Sequence, residues 1–240
     1  MSKEFSIISQ NLNGKLTEKT VKRYEQREKA DIYAFQELKQ ERYNITDTKA
    51  VNMPMKDILQ AEQIWMDAFP WLEFKSGYWK ESSIEFSKKE IRIINFHSSP
   101  FYSAQMRYIL LKRLGEIKAD FVILLGDFNA EFENQTEQPL SRVTKENDAF
   151  LAQIGGLGFT ELLSEQEREE NKPHYTFQYG KYKKKLDHIF ISQGLSDLSH
   201  QGWRFSIQYI DDVNISFSPS ESEQAFTDHS GIKLTIQVHL

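Results

Sequence analysis

The chain has no cysteine among its 240 residues, which excludes a disulfide framework, a thiolate metal site and a cysteine nucleophile. Any bound metal must rest on oxygen or on histidine nitrogen. Proline and glycine are sparse, at 6 and 11 residues, and they never gather with serine into a stretch that reads as a linker. No long apolar run occurs near the start either: in "MSKEFSIISQNLNG" the apolar stretch ends at Gln10 and Asn11, too short for a signal h-region or a membrane span. A cytoplasmic location is the expectation. Excess positive charge is also missing, since the net charge of -5 argues against a general polyanion binder while leaving room for a local basic patch.

What is present is material for a core: 39% hydrophobic residues and 17 Phe. Short apolar runs recur at 5–9, 31–35, 91–96, 121–125, 186–192, 204–210 and 232–238, with the length and β-branched content of strands. Between them, Lys15 to Ala30, Met55 to Phe69 and Ala104 to Lys118 carry apolar residues at helical spacing. The last run alternates Ile232, Leu234, Ile236 and Val238 with polar residues, as a half-exposed antiparallel strand does. The expectation is one α/β domain over 1–240 with mixed sheets.

The strands end in an unusual way. In "LLGDFNAEF", Ile123, Leu125, Asp127 and Asn129 share a face if the chain stays extended, so two polar groups continue an apolar stripe. Phe5, Ile7, Ser9 and Asn11 repeat the arrangement, as do Tyr33, Phe35 and Glu37, and Ile91, Ile93, Asn95 and His97. Asp187 shares a face with Ile189 and Ile191, where an unpaired carboxylate is costly, so a hydrogen-bonding partner such as a histidine is expected. "FTDHSG", with Asp228 and His229, offers one. Each feature alone fits an ordinary turn or a structural histidine. Together they form an oxygen-rich set with two histidines, suited to Mg2+ or Mn2+.

Six pieces in order, "NLNG" from Asn11, "FQELK" from Phe35, "INFHS" from Ile94, "LGDFNA" from Leu125, "LDHIFIS" from Leu186 and "TDHSG" from Thr227, resemble the endonuclease/exonuclease/phosphatase superfamily and span nearly the whole chain. The resemblance implies a four-layer α/β sandwich of two packed mixed sheets flanked by helices. It implies Glu37 as principal metal ligand, with Asn11 and Asn13 near metal and phosphate and Asp228 completing the metal side. It further implies that Asp127 orients or deprotonates the attacking water and that Asn129 holds that water or the phosphate. His229 would contact phosphoryl oxygens, fixed by Asp187, while His97 would serve the leaving oxygen. Whether Asp127 or His229 takes the water's proton stays open. Asn13 stands where nuclease branches often carry aspartate, and "SGYWKESSIEF" (76–86) departs from the usual strand.

The implied activity is a Mg2+- or Mn2+-dependent phosphodiesterase, with nucleic acid or a nucleotide-like ester as the leading substrate. A lipid or small-molecule phosphoesterase, or a module that keeps the fold and binds without catalysis, stands as the alternative. "GKYKKK" (180–185), with Lys183 at its centre, fits a phosphate-tracking loop or a solvated hairpin. Arg107 fits a substrate-phosphate contact or an exposed helical arginine. The four tryptophans, with Tyr78, fit the core better than a stacking surface.

Overall fold

Alternation along the apolar runs decides the architecture, because every second side chain of a strand turns to the same face. The computed structural model describes residues 2–12, 28–36, 48–50, 56–57, 60–71, 79–98, 101–135, 142–179, 182–210 and 228–239. Its elements begin with β1 (Ser2–Asn11), β2 (Ile32–Gln36), β3 (Thr48–Ala50), β4 (Lys56–Asp57), α1 (Gln60–Ala68), β5 (Trp79–Phe86), β6 (Lys89–His97), α2 (Ser103–Glu116) and β7 (Val122–Asp127). There follow α3 (Arg142–Gly156), β8 (Phe159–Glu161), α4 (Glu165–Glu170), β9 (Phe177–Tyr179), β10 (Tyr182–Lys184), β11 (Asp187–Ser192), α5 (Gln193–Asp197), β12 (Trp203–Ile210) and β13 (Gly231–His239).

One sheet has the order β12-β13-β1-β2-β3 and the other β4-β5-β6-β7-β11-β8, while β9 and β10 form a separate hairpin. Both large sheets are mixed: β1 runs parallel to β2 and antiparallel to β13, and β7 runs parallel to β6 and antiparallel to β11. Phe5, Ile7, Leu234 and Ile236 of the first sheet meet Ile91, Ile93, Ile123, Leu125, Ile189 and Ile191 of the second in one buried cluster. Burying each such side chain contributes about 1.5–3 kcal/mol. The other face of the second sheet is covered by α1, α2 and α3, whose Trp65, Met106, Ile109, Leu110, Phe150 and Ile154 pack on Ile94, Phe96, Val122 and Leu124. β6 and β7 are therefore apolar on both faces, which explains their near-continuous apolar runs. Two mixed sheets face to face with helices outside is the α/β sandwich that the resemblance implied.

Several expectations shift in detail. The helix expected over Met55 to Phe69 is confined to α1, because Lys56 and Asp57 pair with Ser83 and Ser82 at the edge of β5. The helix expected over Lys15 to Ala30 lies, apart from 28–30, outside the described residues. "SGYWKESSIEF" contains a full strand, β5, whose polar Glu81 is buried because Arg113 of α2 grips it at 2.6 and 3.0 Å. In β2 the inter-sheet face is made by Ile32 and Ala34, so Tyr33 and Phe35 point the other way and stack with ring centroids 5.8 Å apart. Trp65, Trp79 and Trp203 are buried as expected, whereas Trp71 is 79% exposed and Tyr78 lies outside the described residues. Among the described residues no helix is long and apolar enough to cross a membrane.

Candidate active site

Strand register assembles the site. His97 at the end of β6 pairs with Asp127 at the end of β7, and Asp127 pairs with Asp187 at the start of β11, so three ionisable residues stand in a row. On the facing sheet, Asn11 pairs with Gln36, and the antiparallel run of β1 beside β13 brings Asn11 toward the Asp228–His229 segment. Gln10 ties this corner, donating from Nε2 to the His229 carbonyl at 2.9 Å. The two sheets are stitched beneath the site by amides: Gln36 Nε2 donates to Asn95 Oδ1 at 2.7 Å, and Asn95 Nδ2 donates to the Phe35 carbonyl at 2.9 Å.

Asp127 is buried and held by donors on both oxygens. Asn11 Nδ2 donates to Oδ2 at 2.8 Å and the Asn129 backbone N–H donates to Oδ1 at 2.8 Å. Asn129 does not reach the site along an extended strand, as alternation had predicted. The strand stops at Asp127 and Asn129 takes a left-handed conformation, φ 46°, that returns its side chain to Ser98 O at 2.8 Å and Asp127 Oδ2 at 3.3 Å. Such a conformation in a residue with a side chain costs about 1 kcal/mol or more and persists where its surroundings over-determine it. Gly126 allows the close packing before it, since a Cβ there would overlap the Phe96 carbonyl oxygen. Burial pushes the Asp127 carboxyl up to about 7, and Asp187 adds to the rise, against the opposing charge of His229.

Asp187 has the histidine partner its face demanded: His229 Nδ1 lies 2.8 Å from its Oδ2. The β9–β10 hairpin fixes that segment, with a bridge between Phe177 and His229 and a Ser230 N–H donating to the Thr176 carbonyl at 2.7 Å. Burial by itself would lower the His229 pKa, but the carboxylates of Asp187, Asp127 and Asp228 outweigh it and raise it to about 10. His97, buried, has its pKa lowered to about 4 by desolvation and then by the charge on His229, so its ring is neutral near pH 7. His97 Nε2 and His229 Nε2 stand 3.9 and 4.0 Å from Asp127 Oδ2.

Asn13 and Glu37 lie outside the described residues. Arg107 turns its Nη2 to the Asn129 carbonyl at 3.2 Å and to Asn147 Oδ1 at 2.8 Å. Lys184, rather than Lys183, lines the cleft, because the two alternate along β10. Lys185 leaves the lysine run altogether: it is buried, with Nζ 2.8 Å from Glu167 and 3.1 Å from Glu161. No motif in the sequence singles out His188. It follows Asp187 on the opposite face of β11, and a buried histidine there needs partners, which are Glu161 Oε1 at 2.6 Å and the Ala130 carbonyl at 2.8 Å.

These strand ends open into a cleft of about 330 Å³ that includes Asp127, Asn129, Lys184, Asp228 and His229. A larger cavity of about 580 Å³ lies near the opposite ends of β6 and β7, lined by Glu90, Arg92, Lys118 and Asp120. Its charges are of mixed sign, whereas Asp127 and His229 of the Asp127, Asp187 and His229 cluster line the smaller cleft, which is the candidate site.

The residues fit a hard divalent cation. Asn11 and Asp228 bring amide and carboxylate oxygen to neighbouring strand ends. Beside them Asp127 and Asp187 bring carboxylate oxygens within 4.8 Å of each other, and Asp187 Oδ1 is buried with no hydrogen-bond partner among the described residues, whereas His229, charged by its carboxylate neighbours, has no nitrogen lone pair to offer. The Asp187–His229 hydrogen bond engages Nδ1, which leaves oxygen as the main donor type and suits Mg2+ or Mn2+ over a softer metal.

No protein-family model matches the chain, and no curated protein sequence does. Solved structures do. The endonuclease domain of TRAS1, a telomere-specific non-LTR retrotransposon, is 17% identical, with 98% of each chain covered and a TM-score of 0.62. The catalytic domain of APE2 from Xenopus laevis is 16% identical, with 98% of this chain and 93% of that one covered and a TM-score of 0.65. An endonuclease/exonuclease/phosphatase family protein from Leptotrichia buccalis is 14% identical, with 97% and 99% covered and a TM-score of 0.53.

Proposed function

The chain has the fold of the endonuclease/exonuclease/phosphatase superfamily, and from that premise we propose that it is a divalent-metal-dependent phosphodiesterase acting on nucleic acid or a nucleotide-like ester. The observation that carries this reading is the row His97, Asp127, Asp187 across three paired strands, closed by His229. Two of the similar structures are an endonuclease domain and a catalytic domain, which supports a hydrolytic role over a binding module.

Hydrolysis of a phosphodiester needs an aligned water, charge to offset the phosphoryl oxygens and a donor for the leaving oxygen. Asp127, its carboxylate fixed by Asn11 and Asn129, orients the water and accepts its proton. His229 has Nδ1 engaged by Asp187, so Nε2 is the nitrogen that donates to a phosphoryl oxygen. His97 is neutral and still carries one N–H, which serves the leaving oxygen. Asn11 and Asp228, with Glu37 as the resemblance implies, would hold Mg2+ or Mn2+, which when bound would supply the remaining positive charge. Lys184 at the cleft adds a contact for a flanking phosphate.

The test is hydrolysis, with and without Mg2+ or Mn2+, of single- and double-stranded DNA, abasic DNA, RNA, bis(p-nitrophenyl) phosphate, sphingomyelin and inositol phosphates. Cleavage of a nucleic acid that is abolished by chelation and restored by added metal is the expected result. Cleavage of only the lipid or the inositol phosphates moves the substrate to another branch, and no turnover at all replaces the enzyme with a binding module.

A further inference from the structure

Two carbonyls in succession, those of Asn129 and Ala130, are each gripped by a basic side chain from a different part of the fold. Arg107 of α2 donates to the Asn129 carbonyl at 3.2 Å. It is braced in turn by Asn147 Oδ1 of α3 at 2.8 Å and lies over the Phe150 ring, 4.8 Å from its centroid. His188 of β11 reaches the Ala130 carbonyl through Nε2 at 2.8 Å. Its Nδ1 faces Glu161 Oε1 at 2.6 Å, so both ring nitrogens meet oxygen acceptors, and the rings of Phe128 and Phe132 pack at 5.5 and 6.0 Å.

Between these grips sits Asn129 with its left-handed backbone, φ 46°. Its N–H and its amide both contact Asp127, so any rotation of this turn displaces the Asp127 carboxylate. Fixing two adjacent carbonyls, one toward α2 and α3 and the other toward β8 and β11, removes that rotation. We propose that Arg107 and His188 are positioning residues that hold Asn129, and through it Asp127, in place for the phosphodiester hydrolysis proposed above, on which this inference rests. A substrate-phosphate role for Arg107, one of the two readings of its sequence position, is the competing assignment.

The experiment pairs steady-state kinetics on bis(p-nitrophenyl) phosphate with amide hydrogen exchange at Asn129, in Arg107→Met, Arg107→Lys and His188→Asn. Arg107→Met should lower kcat roughly 10- to 100-fold with KM within about twofold, since small misplacement of a reacting group has effects of that size. Arg107→Lys, which keeps a donor, should recover part of the rate. The Asn129 amide should exchange about tenfold faster in Arg107→Met, as expected when a local restraint is lost. A rise in KM with kcat and Asn129 exchange unchanged would overturn the proposal in favour of phosphate binding. If the wild-type chain hydrolyses no phosphodiester, the functional reading fails on its own account. Exchange still decides the clamp, because unchanged protection in Arg107→Met overturns it whether or not His188→Asn folds.

Discussion

His229→Gln lowers the metal-dependent phosphodiesterase rate by about 10³-fold or more, with the fold retained. The glutamine amide fits the space and can still donate, so the loss isolates what the imidazole does when locked by Asp187 at 2.8 Å. Asp187→Asn should cost a comparable factor. An asparagine carbonyl can accept from Nδ1 and keep the ring in place, but it removes the carboxylate that favours the charged ring. Because the two act as one unit, the double variant should be little worse than the poorer single one. The measurement is kcat on bis(p-nitrophenyl) phosphate for the four chains, with urea unfolding as the control for folding. Wild-type turnover in His229→Gln would sink the catalytic assignment.

How far the sequence foretold this arrangement depends on which faces were informative. Along β1, β6, β7 and β11, alternation sorted Phe5 and Ile7, Ile91 and Ile93, Ile123 and Leu125, and Ile189 and Ile191 onto the inter-sheet face, where the structure has them. Asp187 followed from the same reasoning, because a carboxylate on an apolar face needs a partner. β2 is uninformative, since Ile32 and Ala34 face the other sheet while Tyr33 and Phe35 share the opposite face and are buried too, so alternation does not say which face is which. β5 was hidden for the opposite reason. Glu81, Ser82 and Ser83 look exposed until Arg113, distant in sequence, arrives to neutralise the glutamate.

The turn at Asn129 shows a further limit. Its composition reads as a strand end, yet its geometry is set by Arg107 of α2, the Ser98 carbonyl just after β6 and, through Ala130, His188 of β11. Only packing places those groups, so local pattern has nothing to report. The same holds for the lysine run: Lys184 faces the cleft and the next residue, Lys185, is sealed into the protein, a distinction that depends on where Glu161 and Glu167 fall.

Lys185→Met should destabilise the protein by about 3 kcal/mol, because removing one partner of a buried ion network leaves the others uncompensated. Lys185 is 1% exposed and sits between Glu167 and Glu161, while Tyr209 Oη donates to Glu167 at 2.7 Å and the His174 N–H at 2.9 Å. A solvated lysine of a polyanion-tracking loop would instead leave stability unchanged and flatten the salt dependence of binding. The midpoint of urea unfolding separates the two. The same network predicts the acid limb of stability. Burial would raise the Glu161 pKa, but the charges and hydrogen bonds of His188 and Lys185 outweigh it and hold it at about 2, below its ordinary 4.5. A depressed carboxylate contributes stability that is fully present above pH 4.5 and is lost as pH falls toward 2, here on the order of 3 kcal/mol. Glu161→Gln should flatten the stability profile across that window. An unaltered acid limb would mean that other carboxylates govern it and that the His188 anchor behind the Asn129 turn does not depend on the charge of Glu161.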